Sequence, residues 1–218
     1  MEKEVTKLYL NDMTRQKMYK IFGLRRVNKL QALEDWLISL PDLTEEEITV
    51  AKVYQRRLLE NIDDWNEQEL SLGFIGPIIN LIPFKIPYRL NFFAQRSLST
   101  TIDTYELYGK PDGMLASGAF EPEAPYFSFH EYKKDVNSSG DPAGQNLAAM
   151  LLGQHENKES EVIYGCYVVG RFWYFMVLKD KEYAISKDYS TTEGEVFEVV
   201  KILKSLRNIL FKQLGADP

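Results

Sequence analysis

Along the first sixty residues apolar positions recur at helical spacing: Met18, Ile21 and Phe22, then Leu30, Leu33, Trp36, Leu37 and Leu40. Thr44 followed three positions later by Glu47 has the form of a capping box, and predicts a helix through Val50, Val53, Tyr54, Leu58 and Leu59. Asn66 and Glu69 repeat that form ahead of Leu70, Leu72, Phe74, Ile75 and Ile78, and Gly76-Pro77 should bend or tighten the helix they open. From about Phe92 the period falls to two. Leu98, Thr100 and Ile102, then Tyr105 and Leu107, alternate as strands do, up to Gly109. Met114 and Leu115 follow the turn Pro111-Asp112-Gly113. A Gly/Pro-rich connection over 118–125 leads to a strand over 126–133, which predicts a strand meander.

Asp141 before Pro142 reads as a helix cap with proline at the first helical position, and the helix should continue through Gln145 to Gln154. Strands over 162–169 and 172–178 join at Gly170-Arg171, and a short strand follows near 183–185. Thr192 and Glu195 are placed to cap a final amphipathic helix carrying Val196, Val199, Val200, Leu203, Leu206 and Leu210. The pattern predicts an α/β protein with an N-terminal helical region over 1–62.

An apolar fraction of 44% in 218 residues suffices to bury a substantial core. The net charge of −6 argues against a protein that coats nucleic acid through clustered cations. It leaves room for an enzyme whose metal ion supplies positive charge locally. Binding to duplex without metal is expected to be weak unless a basic groove forms from residues such as Arg56, Arg57, Arg89 and Arg96. There is no N-terminal basic-then-apolar signal, and the apolar runs fall well short of the ~18 residues a membrane span needs, so a soluble, cytoplasmic protein without a membrane partner is expected. The single cysteine, Cys166, lies in a strand-like run with no histidine near it in sequence and reads as a small packing residue.

Three charged residues change this picture. Asp112 sits in the turn before one predicted strand, and Glu131 and Lys133 lie near the end of the next. Strict alternation puts Phe127, Phe129, Glu131 and Lys133 on one face. A carboxylate and an ammonium beside two phenylalanines are costly unless paired or given a metal. The plainer alternative is a strand end that frays into solvent, with Glu131 and Lys133 paired on the surface. His130 falls on the opposite face and reads as a packing or solvent histidine, and His155 as a surface one. The aromatic run Tyr164, Tyr167, Phe172, Trp173, Tyr174 and Phe175 reads as a hairpin core, with base stacking as the sharper alternative.

Pro111-Asp112 and Glu131-Tyr132-Lys133, in a helix–strands–helix–strands order over residues 63 to 190, resemble the PD-(D/E)xK superfamily of restriction-endonuclease-like nucleases. The resemblance implies a restriction-endonuclease-like core over 63–218, a mixed central sheet flanked by helices, and hydrolysis of phosphodiester bonds, DNA before RNA, with Mg²⁺ or its substitute Mn²⁺. It implies Asp112 and Glu131 as metal ligands, the carbonyl of Tyr132 as a further donor, and Lys133 as the residue that orients the nucleophile. It also implies a third acid from the preceding helix, Glu69 ahead of Glu67, and a glutamine on the following helix, Gln145. A catalytically inactive nuclease-like fold, kept as a nucleic-acid-binding or protein-assembly module, is the alternative. A homodimer or a protein partner is compatible with either.

Overall fold

The strand-forming runs of the second half build most of one large mixed sheet, and this sheet sets the positions of Asp112, Glu131 and Lys133. The computed structural model describes residues 5–135, 140–158 and 162–217. In chain order the elements are β1 (Thr6–Tyr9), α1 (Arg15–Phe22), β2 (Arg25–Arg26), α2 (Gln31–Ile38), α3 (Glu45–Asn61), α4 (Glu67–Leu70), a π-helical turn (Ser71–Ile75), α5 (Gly76–Asn80), β3 (Asn91–Ala94), β4 (Leu98–Ile102), β5 (Tyr105–Gly109) and β6 (Gly113–Ser117). They continue with β7 (Glu123–Lys133), α6 (Pro142–Glu156), β8 (Ile163–Val169), β9 (Phe172–Lys179), β10 (Glu182–Ile185), β11 (Tyr189–Ser190) and α7 (Val196–Gln213). The large sheet has the order β2-β10-β9-β8-β7-β6-β3, with β11 beside β9. β7 and β8 run parallel, connected through α6. Such a connection requires a crossover helix, which α6 supplies.

Helices cover both faces. On one, Trp36 of α2, Leu58 of α3, Phe74 of the π turn and Leu203 of α7 pack against Tyr164, Cys166, Val168, Trp173 and Phe175 of the strands. On the other, α6 lies against Phe129, Ile163 and Met176, with α1 and the strands β4 and β5 outside it. Residues Ala143 to Gly153 of α6 are all buried, as expected of a helix that is apolar on every side. No helix among the described residues is long and apolar enough to cross a membrane.

The local signals formed as their chemistry dictates. Thr44 and Glu47 make the reciprocal capping box of α3, Asn66 and Glu69 that of α4, and Asp141 accepts from the Gly144 N–H ahead of Pro142 at the start of α6. The start of α7 differs from expectation. Its cap is Glu195, whose carboxylate accepts from the Ser190 N–H, while Thr192 lies beside Ser190.

Two larger expectations are corrected, and the described part of the N-terminal region, residues 5–62, carries strands as well as helices. β1 pairs with β5, β2 is an edge strand of the large sheet, and Trp36, fully buried, donates from Nε1 to the Ile202 carbonyl at 2.9 Å. The strands over 98–109 belong to a separate three-stranded sheet, β1-β5-β4, so the expected meander begins only at β6. The alternation in β7 also breaks. Leu115 opposes Ser128 and Ala116 opposes Tyr126, leaving Phe127 as the extra residue of a bulge. Phe127 therefore packs toward α7 and Phe129 toward α6, and only Phe129, Glu131 and Lys133 keep the predicted common face.

Candidate functional site

Pro111 has no N–H, so the β6–β7 ladder ends at Gly113 opposite His130. Beyond that point a side chain replaces the ladder: Asp112 Oδ2 accepts from the Tyr132 N–H at 2.8 Å. Gly113 leaves room beside it for two rings, because a Cβ there would stand 2.6 Å from Phe92 Cζ and 3.1 Å from the Tyr132 hydroxyl. Asp112 is thus fixed beside the last residues of β7, where Glu131 and Lys133 point toward the α6 side. Lys133 Nζ donates to Glu131 Oε1 at 2.8 Å and lies 3.7 Å from Glu67 Oε2. The side chains of Glu131 and Lys133 are only 7% and 16% exposed, so this is a buried pair and not a frayed surface one.

Charge does not balance within the group. Three carboxylates, Asp112, Glu131 and Glu67, share the Lys133 ammonium. Burial, and after it the charge of Asp112, pushes Glu131 up to about 7 against the pull of Lys133. Burial likewise raises Asp112, although the Tyr132 N–H and Lys133 oppose it. Burial works to lower Lys133, but the attraction of Glu131, with Glu67 and Asp112 adding to it, holds its ammonium above the ordinary range.

The acid of α4 that stands beside Lys133 is Glu67, and Glu69 is turned away from it. Glu69 Oε2 accepts from the Asn66 N–H at 2.7 Å and is consumed by the capping box. Residues two apart on a helix do not share a face, so the box that turns Glu69 back toward Asn66 leaves Glu67 to approach Lys133. Gln145 is engaged elsewhere: its Nε2 donates to the Asn11 carbonyl at 2.7 Å, and its Oε1 is buried without a partner among the described residues. It ties α6 to the N-terminal turn instead of joining the acids. His130 is fully buried, within 3.2 Å of the Tyr132 hydroxyl, and burial holds it down to about 4. Burial pushes the Cys166 thiol up, as suits an inert packing residue.

Gln95 carried no signal of its place beside Asp112. Its N–H donates to the Asp112 carbonyl at 3.2 Å and its side chain favours the charged form of the Asp112 carboxylate, while its own φ is +50. A non-glycine residue in left-handed backbone marks local strain, here beside the acids. A cavity of about 300 Å³, lined in part by Asp63, Lys134, Val169, Gly170, Arg171 and Phe172, opens at the ends of β7 and β8 next to them. The arginines expected to make a groove are dispersed: Arg57 lies over Trp65 on the α3 side, and Arg96 pairs with Glu121 at 3.3 Å.

Among the described residues no group of three or more His, Cys, Asp and Glu side chains is placed to hold a metal ion. The chemistry of the donors nonetheless fits a hard cation. Asp112 and Glu131 are neighbouring carboxylates that burial holds above their ordinary range, and hard cations take oxygen ligands. No family model matches the chain, and no curated protein matches it in sequence.

Proposed function

We propose that the chain hydrolyses phosphodiester bonds of nucleic acid, DNA in the first instance, and that β6, β7, α6 and β8 belong to a restriction-endonuclease-like core. The observation that carries this reading is the pair of carboxylates Asp112, half-buried, and Glu131, buried, with Lys133 between Glu131 and Glu67. Asp112, Glu131 and the carbonyl of Tyr132 would hold Mg²⁺ or Mn²⁺. The cation, when bound, polarises the scissile phosphate and stabilises charge on the leaving oxygen.

The protein groups divide the remaining work. The Tyr132 N–H and Gln95 orient the Asp112 carboxylate. Lys133 stays protonated in this acidic surrounding and has three N–H donors, one of them given to Glu131, so it can donate to a water or a phosphate oxygen. Glu67, nearly half exposed, sits on the solvent side of Lys133, where it can accept a proton from an incoming water. A cytoplasmic location goes with this reading.

A second reading, a nuclease-like fold kept for binding or assembly, draws on the 2.8 Å Lys133–Glu131 pair, since Lys133 then serves Glu131 as its permanent counter-ion. Incubation with end-labelled single- and double-stranded DNA and RNA, with Mn²⁺ and with chelator, decides between them. Metal-dependent cleavage of any of these supports hydrolysis, and intact substrates throughout leave the binding module.

A further inference from the structure

Residues 5–30 contain seven Lys and Arg and a single acid, Asp12, in a chain whose net charge is −6. The fold keeps these cations together. α1 exposes Arg15, Lys17 and Lys20, and β2, exposed along its length, presents Arg25 and Arg26 at the edge of the large sheet. The Arg25 N–H donates to the Lys181 carbonyl at 2.8 Å, which adds the β9–β10 turn to the same side. Acids offset part of this charge: Asp141 binds Arg15 at 2.9 Å, and Glu182 pairs in register with Arg25.

This face reaches the candidate site. Gly144 lets the start of α1 lie against the start of α6, since a Cβ there would stand 2.5 Å from Thr14 Cα, and this close approach sets Arg15 on Asp141. The charges of Arg15 and Arg26 both act on the phenols of Tyr167 and Tyr183. Tyr167 is the register neighbour of Glu131 on β8, and it stacks on Tyr174 of β9 with ring centroids 4.5 Å apart and planes 7° from parallel. Glu131, Tyr167 and Tyr174 therefore form one row across three adjacent strands, with the basic face at its side.

We infer that α1 and β2, leading across Tyr167, form the interface for the phosphodiester backbone of nucleic acid and direct a strand toward Asp112 and Glu131. The destination of the strand rests on the proposed hydrolytic reading, whereas the binding does not. A polyanionic strand fits better than an anionic lipid surface. Met18 and Phe22 of α1 are buried in the core and Tyr19 is the one large hydrophobic side chain the helix exposes, too little for an apolar face that inserts into lipid. Backbone binding needs only exposed cations near one another.

The test measures fluorescence anisotropy of a labelled DNA duplex and of its single strand with the full chain in EDTA, over roughly 50 to 200 mM salt. Arg25→Glu/Arg26→Glu is compared with Lys52→Glu/Arg56→Glu, an equal charge change on α3 of the opposite layer. Melting temperatures of both variants verify that they fold. The β2 variant should bind about tenfold or more weakly, with a salt slope smaller by about two, while the α3 variant binds as the unaltered chain does. Equal loss in both variants, or no binding by the unaltered chain, overturns the inference. So does a β2-dependent affinity for vesicles containing phosphatidylserine that exceeds the affinity for DNA. Metal-free binding that depends on β2 without any cleavage upholds this interface and defeats the hydrolytic reading instead.

Discussion

Replacing Glu131 by glutamine in the metal-free protein keeps the shape of the side chain and removes a charge that its surroundings resist. Burial and Asp112 push the Glu131 carboxyl up to about 7 from an ordinary 4.5. Between these limits the folded chain binds a proton that the unfolded chain releases. Glu131 thus contributes stability that is fully present below about 4.5 and is lost as pH rises through about 7. With its side chain 7% exposed, solvent screening takes little from this effect, whose full span is about 3 kcal/mol. His130 acts in the opposite direction. Held down to about 4 from 6.5, it contributes stability that is present above 6.5 and is lost as pH falls toward 4. The two partly cancel in the curve of the unaltered protein, so the informative quantity is its difference from Glu131→Gln, from which His130 drops out. Urea unfolding in EDTA should show the unaltered protein losing about 2 kcal/mol relative to the variant between about pH 5.5 and about pH 8.5. A difference that stays constant over this range, or that widens in favour of the variant in acid, refutes the electrostatic account of the site.

Asp112→Ala removes the acceptor of the Tyr132 N–H and should lower stability by about 1–3 kcal/mol. Mn²⁺ should raise the melting temperature of the unaltered chain and not of this variant; an equal rise in both would remove Asp112 from the metal site. Glu67→Gln should keep its melting temperature and lose most metal-dependent cleavage, while Glu69→Gln, which still fits the capping box, should change neither; the reverse result would restore Glu69 as the third acid. A chain beginning at residue 63 lacks β2 and the Trp36–Ile202 bond and should show no cooperative thermal transition; a sharp transition would show a core independent of its first 62 residues.

What could be read in advance was local. The capping boxes of α3 and α4, the Asp141-Pro142 helix start and the long apolar strands β7, β8 and β9 carry their signals within a few residues, and these formed. β1 and β2 did not show, because four and two residues are too few for alternation to register. The bulge at Phe127 depends on how β7 meets β6, which no pattern within β7 encodes. Asp112, Glu131 and Lys133 were legible as a group because adjacent strands bring a turn and a strand end together. Glu67 was also within reach, since a capping box that uses Glu69 withdraws it from other duties. Gln95 gave no signal in its polar turn. The basic segment was visible to a charge count taken by region, and averaging over the whole chain concealed it.

Lys133 distinguishes a hydrolytic centre from a buried ion pair most directly. The measurement is single-turnover cleavage of labelled DNA by the unaltered chain and by Lys133→Ala, with Mn²⁺ binding to each followed by calorimetry. If the group is catalytic, the variant binds Mn²⁺ as well as the unaltered chain or better, because a competing cation has gone, and cleaves no DNA. Cleavage at an undiminished rate by Lys133→Ala, or its absence from the unaltered chain on every substrate, would contradict the account.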